Sequence, residues 1–325
     1  MKVAMYYNNS DVRIEEMPKP AIKAGELLME MKASGICGSD VMEWYRVKKA
    51  PLVLGHEATG QVVEVGEGTK GFKIGDRIFV SHHVPCNICR FCLAGHQTVC
   101  ETLHTTNFYP GGFSEYIRVP AINVERGAFL LPETIFYEEG TFIEPLACVM
   151  RGQRQAQFKP GQNVLIFGAG ISGLLHLLLA KASGAAKVSV IDIDPYRLNK
   201  ARDFGADQKQ GLADLVIVCT SSLAAFNQAL DSVDRGGTIL FFAPTEPGIK
   251  LPVPVNDFWR NSITITHSYG ASPQDLADAI KLLAKDSLPV KKLITHRVSL
   301  KDIGRGFQLV AGAKDCLKVI VKPQD

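Results

Sequence analysis

Apolar and polar residues alternate at two different periods along this chain, and the change of period divides it. Through the first ~120 residues the pattern is short and two-fold, broken by glycine, as in ATGQVVEVGEG (58–68) and GFKIGDRIFVSHH (71–83). Period-two runs bounded by glycine turns predict short strands, so this region reads as β-rich. Near Glu138 the pattern changes. EEGTFIEPLACVMRGQRQAQ has helical spacing and stops at Lys159-Pro160-Gly161, a strong breaker. Beyond it, uniformly apolar runs alternate with helical ones. NVLIFGAG leads into a helix over 171–183, KVSVIDID into one over 195–204, and DLVIVCTS into one over 222–233; TILFFAP and SITITHSYG follow. Apolar strands alternating with helices predict a parallel sheet covered on both faces. The tail from Lys291 returns to mixed strand and helix and is too short for a third domain, so it is expected to complete the first.

Length and composition agree with two domains. The chain has 325 residues, 46% hydrophobic and 21% charged, sufficient for full cores. Its net charge is +3 without a long Lys/Arg run, so neither nucleic acid nor an anionic membrane is implied as a partner. The most apolar helical stretch, Ile171 to Ala182, includes Ser172, His176 and Lys181 and is too short to span a bilayer. The start, MKVAMYYNNSDVRIEE, lacks the apolar core of a secretory signal, which predicts a cytoplasmic protein with reduced thiols.

That setting bears on the run PCNICRFCLAGHQTVC. Cys86, Cys89, Cys92 and Cys100 are separated by two, two and seven residues. Two-residue gaps let one tight loop deliver three thiolates to a tetrahedral Zn²⁺, and a longer lobe returns the fourth. The competing readings are two disulfides or four unrelated buried thiols. A reducing compartment favours the metal. Cys148, Cys219 and Cys316 read as small buried apolar residues.

A second chemistry follows the strand NVLIF. Gly168-Ala169-Gly170-Ile171-Ser172-Gly173 opens a helix, and Asp192 closes the next strand 19 residues past Gly173. Alone, a G-x-G-x-x-G is weak, but here the flanking strand, helix and acid all agree. The first glycine allows a tight turn, the second lets backbone approach a pyrophosphate, and the third lets helix and sheet pack closely. The helix N-terminus, beginning at Ile171, offers free N–H groups to phosphate. Asp192 suits the ribose hydroxyls of NAD and would repel the 2′-phosphate of NADP. Arg197 is placed either over the adenosine ribose or on a solvated helix face. One segment is anomalous: only a few residues, 207–213, separate the helix ending KARDFGAD from the strand DLVIV, where such folds carry a further strand and helix of ~20 residues. Either that unit is deleted or a mobile stretch is missing from the sequence; spacing leaves both open.

Three more short motifs supply metal donors: Gly35-Ile36-Cys37-Gly38-Ser39-Asp40, Gly55-His56-Glu57, and Phe142-Ile143-Glu144-Pro145. Each is weak singly. Together they offer a thiolate, an imidazole and two carboxylates, a set suited to a catalytic zinc with three protein ligands and one open position. Spacing does not show that they converge.

In order, GICGSD, GHEATG, the cysteine lobe, FIEP and GAGISG resemble the zinc-dependent medium-chain alcohol dehydrogenases over nearly the whole chain. The nearest likeness is to sorbitol (polyol) and threonine dehydrogenases, because Glu144 stands where simple alcohol dehydrogenases carry a cysteine ligand. The resemblance implies an α/β protein: a GroES-like β-rich catalytic domain (1–147 and 287–325) with a zinc lobe at about 84–101, and a Rossmann doubly wound parallel-sheet NAD-binding domain (148–286). It also implies two Zn²⁺ per chain, NAD as cofactor, a small-molecule alcohol or ketone as substrate, and a homodimer or homotetramer. Cys37, His56, Glu57 and Glu144 match the catalytic-zinc residues, either glutamate serving as the direct ligand; Cys86, Cys89, Cys92 and Cys100 match the structural site. Ser39 stands where the family's hydroxyl takes the alcohol proton. The expected reaction is oxidation of a secondary alcohol to a ketone with zinc as Lewis acid. The rivals are an L-threonine 3-dehydrogenase-like activity and a non-enzymatic nucleotide-binding role.

The chain departs from the family pattern at the pocket. Met42 replaces a relay histidine, the loop from Cys37 to His56 is short, and Ser268-Tyr269-Gly270 does not match the Arg-Tyr pair of sorbitol dehydrogenases. His82 and His83 fall where relatives place pocket-lining residues, suggesting a polar pocket or a substitute proton route.

Overall fold

The structure, a computed structural model, describes residues 1–208 and 211–323. The described chain divides into two compact units, Met1–Glu144 with Ala271–Asp325, and Pro145–Gly270.

In the first unit the two-fold pattern becomes strands, as expected. The largest sheet runs in the order Ile294–Ser299, Lys318–Lys322, Leu27–Ile36, Glu57–Val65, Arg77–Val80 and Ala128–Leu130, with Tyr116–Val119 also on Leu27–Ile36. The tail therefore supplies the two strands at one end of this sheet, with Val319 opposite Ile36 and Val321 opposite Ser34. A smaller sheet joins Asp11–Glu16, Lys2–Asn8 and Leu52–Val53. The core is split: Leu27, Met29, Val62, Ile78 and Ile117 form one cluster, and Tyr6, Ile36, Phe113, Phe307 and Val319 another. The return to this unit falls at Ala271, ahead of residue 287, where the sequence placed it. Helix Pro273–Ala284 is part of this unit, and its end is tied to it where Thr134 Oγ1 donates to the Ala284 carbonyl at 3.5 Å.

The second unit holds a fully parallel sheet in the order Lys187–Ile191, Asn163–Phe167, Ala213–Val218, Val233–Phe241, Thr264–His267. Strand order reverses between Asn163–Phe167 and Ala213–Val218. At such a switch point the carboxyl ends of two strands splay apart and leave a crevice for ligand. The doubly wound expectation is met with one strand fewer, since Lys187–Ile191 is the edge. Asp207 makes a single bridge to Ser189, and Ala213 already begins the next strand. Of the anomalous segment, residues 209 and 210 lie outside the described residues; the flanks leave no length for a further strand and helix. Asp207 closes the edge itself. Its N–H donates to the Val188 carbonyl, and its Oδ2 accepts from Val188 N, both at 2.8 Å.

Helix Ile143–Gln155 tolerates Pro145 because the first turn of a helix has no internal partner for its N–H groups. None of the eight cysteines is in a disulfide. Cys316 is buried as expected, whereas Cys148 and Cys219 are half-buried. Among the described residues no helix is long and apolar enough to cross a membrane.

Candidate active site and metal centres

Two groups of metal-binding side chains converge. In the lobe, the sulfurs of Cys86, Cys89, Cys92 and Cys100 all lie within 4.8 Å of one another. Cys89 Sγ is 3.5 Å from Cys92 Sγ, and Cys86 Sγ is 3.9 Å from Cys92 Sγ. These separations are too long for disulfides and suit four thiolates around one ion. Backbone N–H groups already serve the sulfurs: Cys89 N donates to Cys86 Sγ and Cys86 N to Cys100 Sγ, each at 3.3 Å. Burial pushes the Cys92 thiol up to about 12. Cys100 is also pushed up by burial, but N–H groups of Cys86 and Leu103 outweigh this and bring it to about 6.

The second group contains Cys37, His56 and Glu57, again with ligand atoms within 4.8 Å. Cys37 directly follows strand Leu27–Ile36, and Glu57 starts the neighbouring strand, whose register sets Gly35 opposite Glu57. The sheet thus joins motifs twenty residues apart. Glu144 stands in the first turn of helix Ile143–Gln155, half-buried and outside this cluster.

Three residues missed by the sequence reading organise the site. Asp40 is fully buried; its Oδ2 accepts from Cys37 N at 3.0 Å, and its Oδ1 lies 3.3 Å from His56 Nδ1 as an ion pair. A carboxylate on Nδ1 fixes the imidazole tautomer and frees Nε2 for a metal. Burial pushes the Asp40 carboxyl up, but His56, Arg46 and the Cys37 N–H together hold it below the usual range. Burial pushes His56 down, and Asp40 and Cys37 overcome this, leaving it well above 6.5. Lys318, in the tail, is fully buried with its ammonium on Glu57 Oε2, while Glu57 Oε1 is buried without a hydrogen-bond partner. Arg46 donates from Nε to the Ser39 carbonyl at 2.9 Å and from Nη2 to Ser39 Oγ at 3.2 Å. Asp40 had a local signal, since it adjoins Ser39 in GICGSD. Lys318 had none.

His82 and His83 do reach this site. Their rings are 3.7 Å apart, and that of His82 is 5.0 Å from His56. Burial and neighbouring cations push His82 well below 6.5 and His83 to about 4. Both are neutral near pH 7, with His82 Nδ1 buried and unpartnered. Met42 caps the helical turn Glu43–Arg46 through its backbone and brings no titrating group.

In the second unit the glycine motif sits at the switch point. Gly168 turns with φ of +97°, and a Cβ on Gly173 would fall 1.8 Å from the Gly168 carbonyl oxygen, so helix and turn touch only because it is glycine. A Cβ on Gly170 would meet nothing nearer than Arg197 Nη1 at 3.8 Å. The space kept clear there is not filled by protein, as a pyrophosphate cradle requires. Ile171 begins the following helix without a side-chain cap, which leaves its first N–H groups for an anion. Asp192 reaches back to this turn, accepting from Ala169 N at 2.6 Å and Asp194 N at 2.8 Å. Arg197, whose N–H is capped by Asp194, has a buried Nε with no partner.

Comparison with known proteins agrees with both halves. Residues 23–128 match the family described as the alcohol dehydrogenase GroES-like domain, and residues 172–285 the one described as zinc-binding dehydrogenase. Sorbitol dehydrogenase of Bacillus subtilis is 31% identical, covering 99% of this chain and 97% of that one. (R,R)-butanediol dehydrogenase of the same organism is 30% identical over 99% of this chain and all of its own length. An alcohol dehydrogenase of Escherichia coli CFT073 solved with NADH superposes with a TM-score of 0.89 at 27% identity, covering 99% of each chain.

Proposed function

The chain belongs to the zinc-dependent medium-chain dehydrogenases, and on that premise we propose that it interconverts a secondary alcohol, of the polyol or sugar class, and its ketone with NAD(H). The observation that carries this reading is the convergence of Cys37, His56 and Glu57 beside Ser39. Cys37, His56 Nε2 and Glu57 Oε1 would hold the catalytic zinc, with Glu144 as the alternative carboxylate. Bound there, zinc supplies Lewis acidity that lowers the pKa of a substrate hydroxyl by several units. Asp40 holds His56 in the required tautomer. Ser39 Oγ accepts from Arg46 Nη2 and from the substrate hydroxyl, and as it takes the substrate's proton it releases its own towards solvent. The neutral His82 and His83 hydrogen-bond the substrate and help to exclude water; as bases they are too weak for an efficient relay near pH 7. Cys86, Cys89, Cys92 and Cys100 hold a second, structural zinc.

In the second unit the N–H groups from Ile171 onward and the clearance at Gly170 receive the pyrophosphate, Asp192 the ribose hydroxyls, and Arg197 the adenosine side. Free thiols poised for metal suit a cytoplasmic setting, and the family resemblance favours a homo-oligomer.

The test is a screen of NADH formation over polyols, sugars, L-threonine and simple alcohols, run on wild-type protein and Cys37→Ser with zinc measured by atomic emission. Wild type should carry two zinc per chain and oxidise at least one secondary alcohol. Cys37→Ser should lose about one zinc and nearly all turnover while remaining folded. Zinc content unchanged in Cys37→Ser would refute the assignment.

A further inference from the structure

A cation, Arg46, lies one hydrogen bond from the atom assigned to take the substrate's proton, and the proton transfer itself does not need its charge. Arg46 closes the helical turn Glu43–Arg46, and Lys48 and Lys49 follow in the turn Val47–Lys49. A guanidinium presents five N–H donors in a planar fork. Nε and Nη2 are engaged by Ser39, with Asp40 Oδ1 3.6 Å from Nη2. Among the described residues Nη1 has no hydrogen-bond partner, and the side chain keeps 15% of its exposure. Arg46 and Lys49 face the same Tyr45 ring, at 4.7 and 4.9 Å from its centroid. Both cations also act on His83.

The acids near this charge serve other partners as well, and Asp40, 3.6 Å from Nη2, offsets it only in part. Asp40 is fully buried and shared with His56 and Cys37 N. Glu43 accepts from Asn9 N at 3.0 Å, and Glu57 carries Lys318. A substrate oxygen hydrogen-bonded to Ser39 Oγ stands about 2.7 Å from it. A group one or two carbons along the substrate then reaches the Arg46 fork.

We propose, building on the dehydrogenase reading, that the substrate is an anionic secondary alcohol and that Arg46 selects it by binding a carboxylate or phosphate monoester on Nη1, with Lys49 raising the local anion concentration. The guanidinium has the planar donor geometry that both anions match. Because it also holds Ser39, the anion and the reacting hydroxyl are placed relative to each other by one side chain.

Sorbitol, gluconate and sorbitol 6-phosphate form a matched set, a six-carbon polyol with a neutral, carboxylate or phosphate end. One of the two anions should exceed sorbitol in kcat/KM by about 10- to 100-fold, the range of one charge-assisted hydrogen bond; which one identifies the anion. The ratio of anionic to neutral kcat/KM should collapse toward one in Arg46→Met and be partly kept in Arg46→Lys. Reading the ratio removes any effect of Arg46 on Ser39, which all three substrates share. Binding is followed separately by Trp44 fluorescence in a Trp259→Phe background, titrating gluconate or inorganic phosphate; Arg46→Met should weaken it at least tenfold. Equal use of sorbitol and both anions, or an unchanged ratio in Arg46→Met, overturns the selectivity and leaves the dehydrogenase standing. No NADH from any substrate, with Arg46-dependent anion binding intact, overturns the dehydrogenase reading and keeps the anion site. Absence of both NADH formation and anion binding overturns both.

Discussion

One carboxylate, Asp40, ties Cys37 N, His56 Nδ1 and the Arg46 guanidinium together in a buried position. Removing it frees the imidazole to turn, so Asp40→Ala should lower zinc affinity at the catalytic position by roughly 10- to 100-fold, measured by competition with a chelator. Zinc retained as tightly as in wild type would show that the imidazole needs no second partner. Asp192 makes a separate prediction. Its carboxylate beside the glycine turn opposes a 2′-phosphate, so wild type should favour NAD⁺ over NADP⁺, and Asp192→Ala should narrow the gap mainly by weakening NAD⁺. A wild-type preference for NADP⁺ would contradict the ribose assignment. His176 gives a stability test. It is buried, its Nδ1 accepts from Gln153 Nε2 at 3.3 Å, and burial pushes it down to about 3. The folded form therefore stays neutral while the unfolded form takes up a proton below about 6.5. Stability is fully present above 6.5 and falls with acidification toward 3, by about 1.4 kcal/mol per pH unit. His176→Asn should flatten urea midpoints between pH 6.5 and 5; an unchanged slope would place the acid sensitivity elsewhere. At this scale the legible residues were those inside compact motifs, such as Cys37, Asp192 and the glycines. Lys318 was illegible because it meets Glu57 across 261 positions, a contact that no local pattern encodes.

Among the elements, the cysteine lobe is the least able to hold itself together. Its buried apolar set is only Cys92, Cys100 and Leu103, while Ile88 and Leu93 are 79% and 76% exposed. So few buried groups do not offset the entropy of ordering a loop, and metal must supply the difference. Cys89→Ser, or chelation of wild type, should open 86–100 to proteolysis before the two sheets yield, as seen by fragment mass. A lobe that resists protease without metal would refute a structural zinc. Strands and helices were legible wherever one face was buried, since burial imposes a period of two or 3.6. The end of the second unit at Gly270 was not, because helix Pro273–Ala284 looks the same in sequence whichever core receives its apolar face.

Across the whole molecule, the parallel sheet lacks, among the described residues, its expected outer strand and ends at Lys187–Ile191. The sequence showed the shortfall at 207–213 but not what replaces the strand, because one bridging residue has no periodicity. An open edge of Val188, Val190 and Ile191 is a template on which another chain can add, and a sheet protected by its own breadth needs no guard there. Here the guard is Asp207, which satisfies Val188 at both N–H and C=O and sets a carboxylate where an incoming strand would seat. The shortened fold has thus moved its defence against self-association from a whole strand to one side chain. Asp207→Ala should leave the interior packing intact yet promote concentration-dependent oligomers, visible by light scattering and by a thioflavin signal on gentle heating. Asp207→Asn should be intermediate, keeping the acceptor but losing the charge.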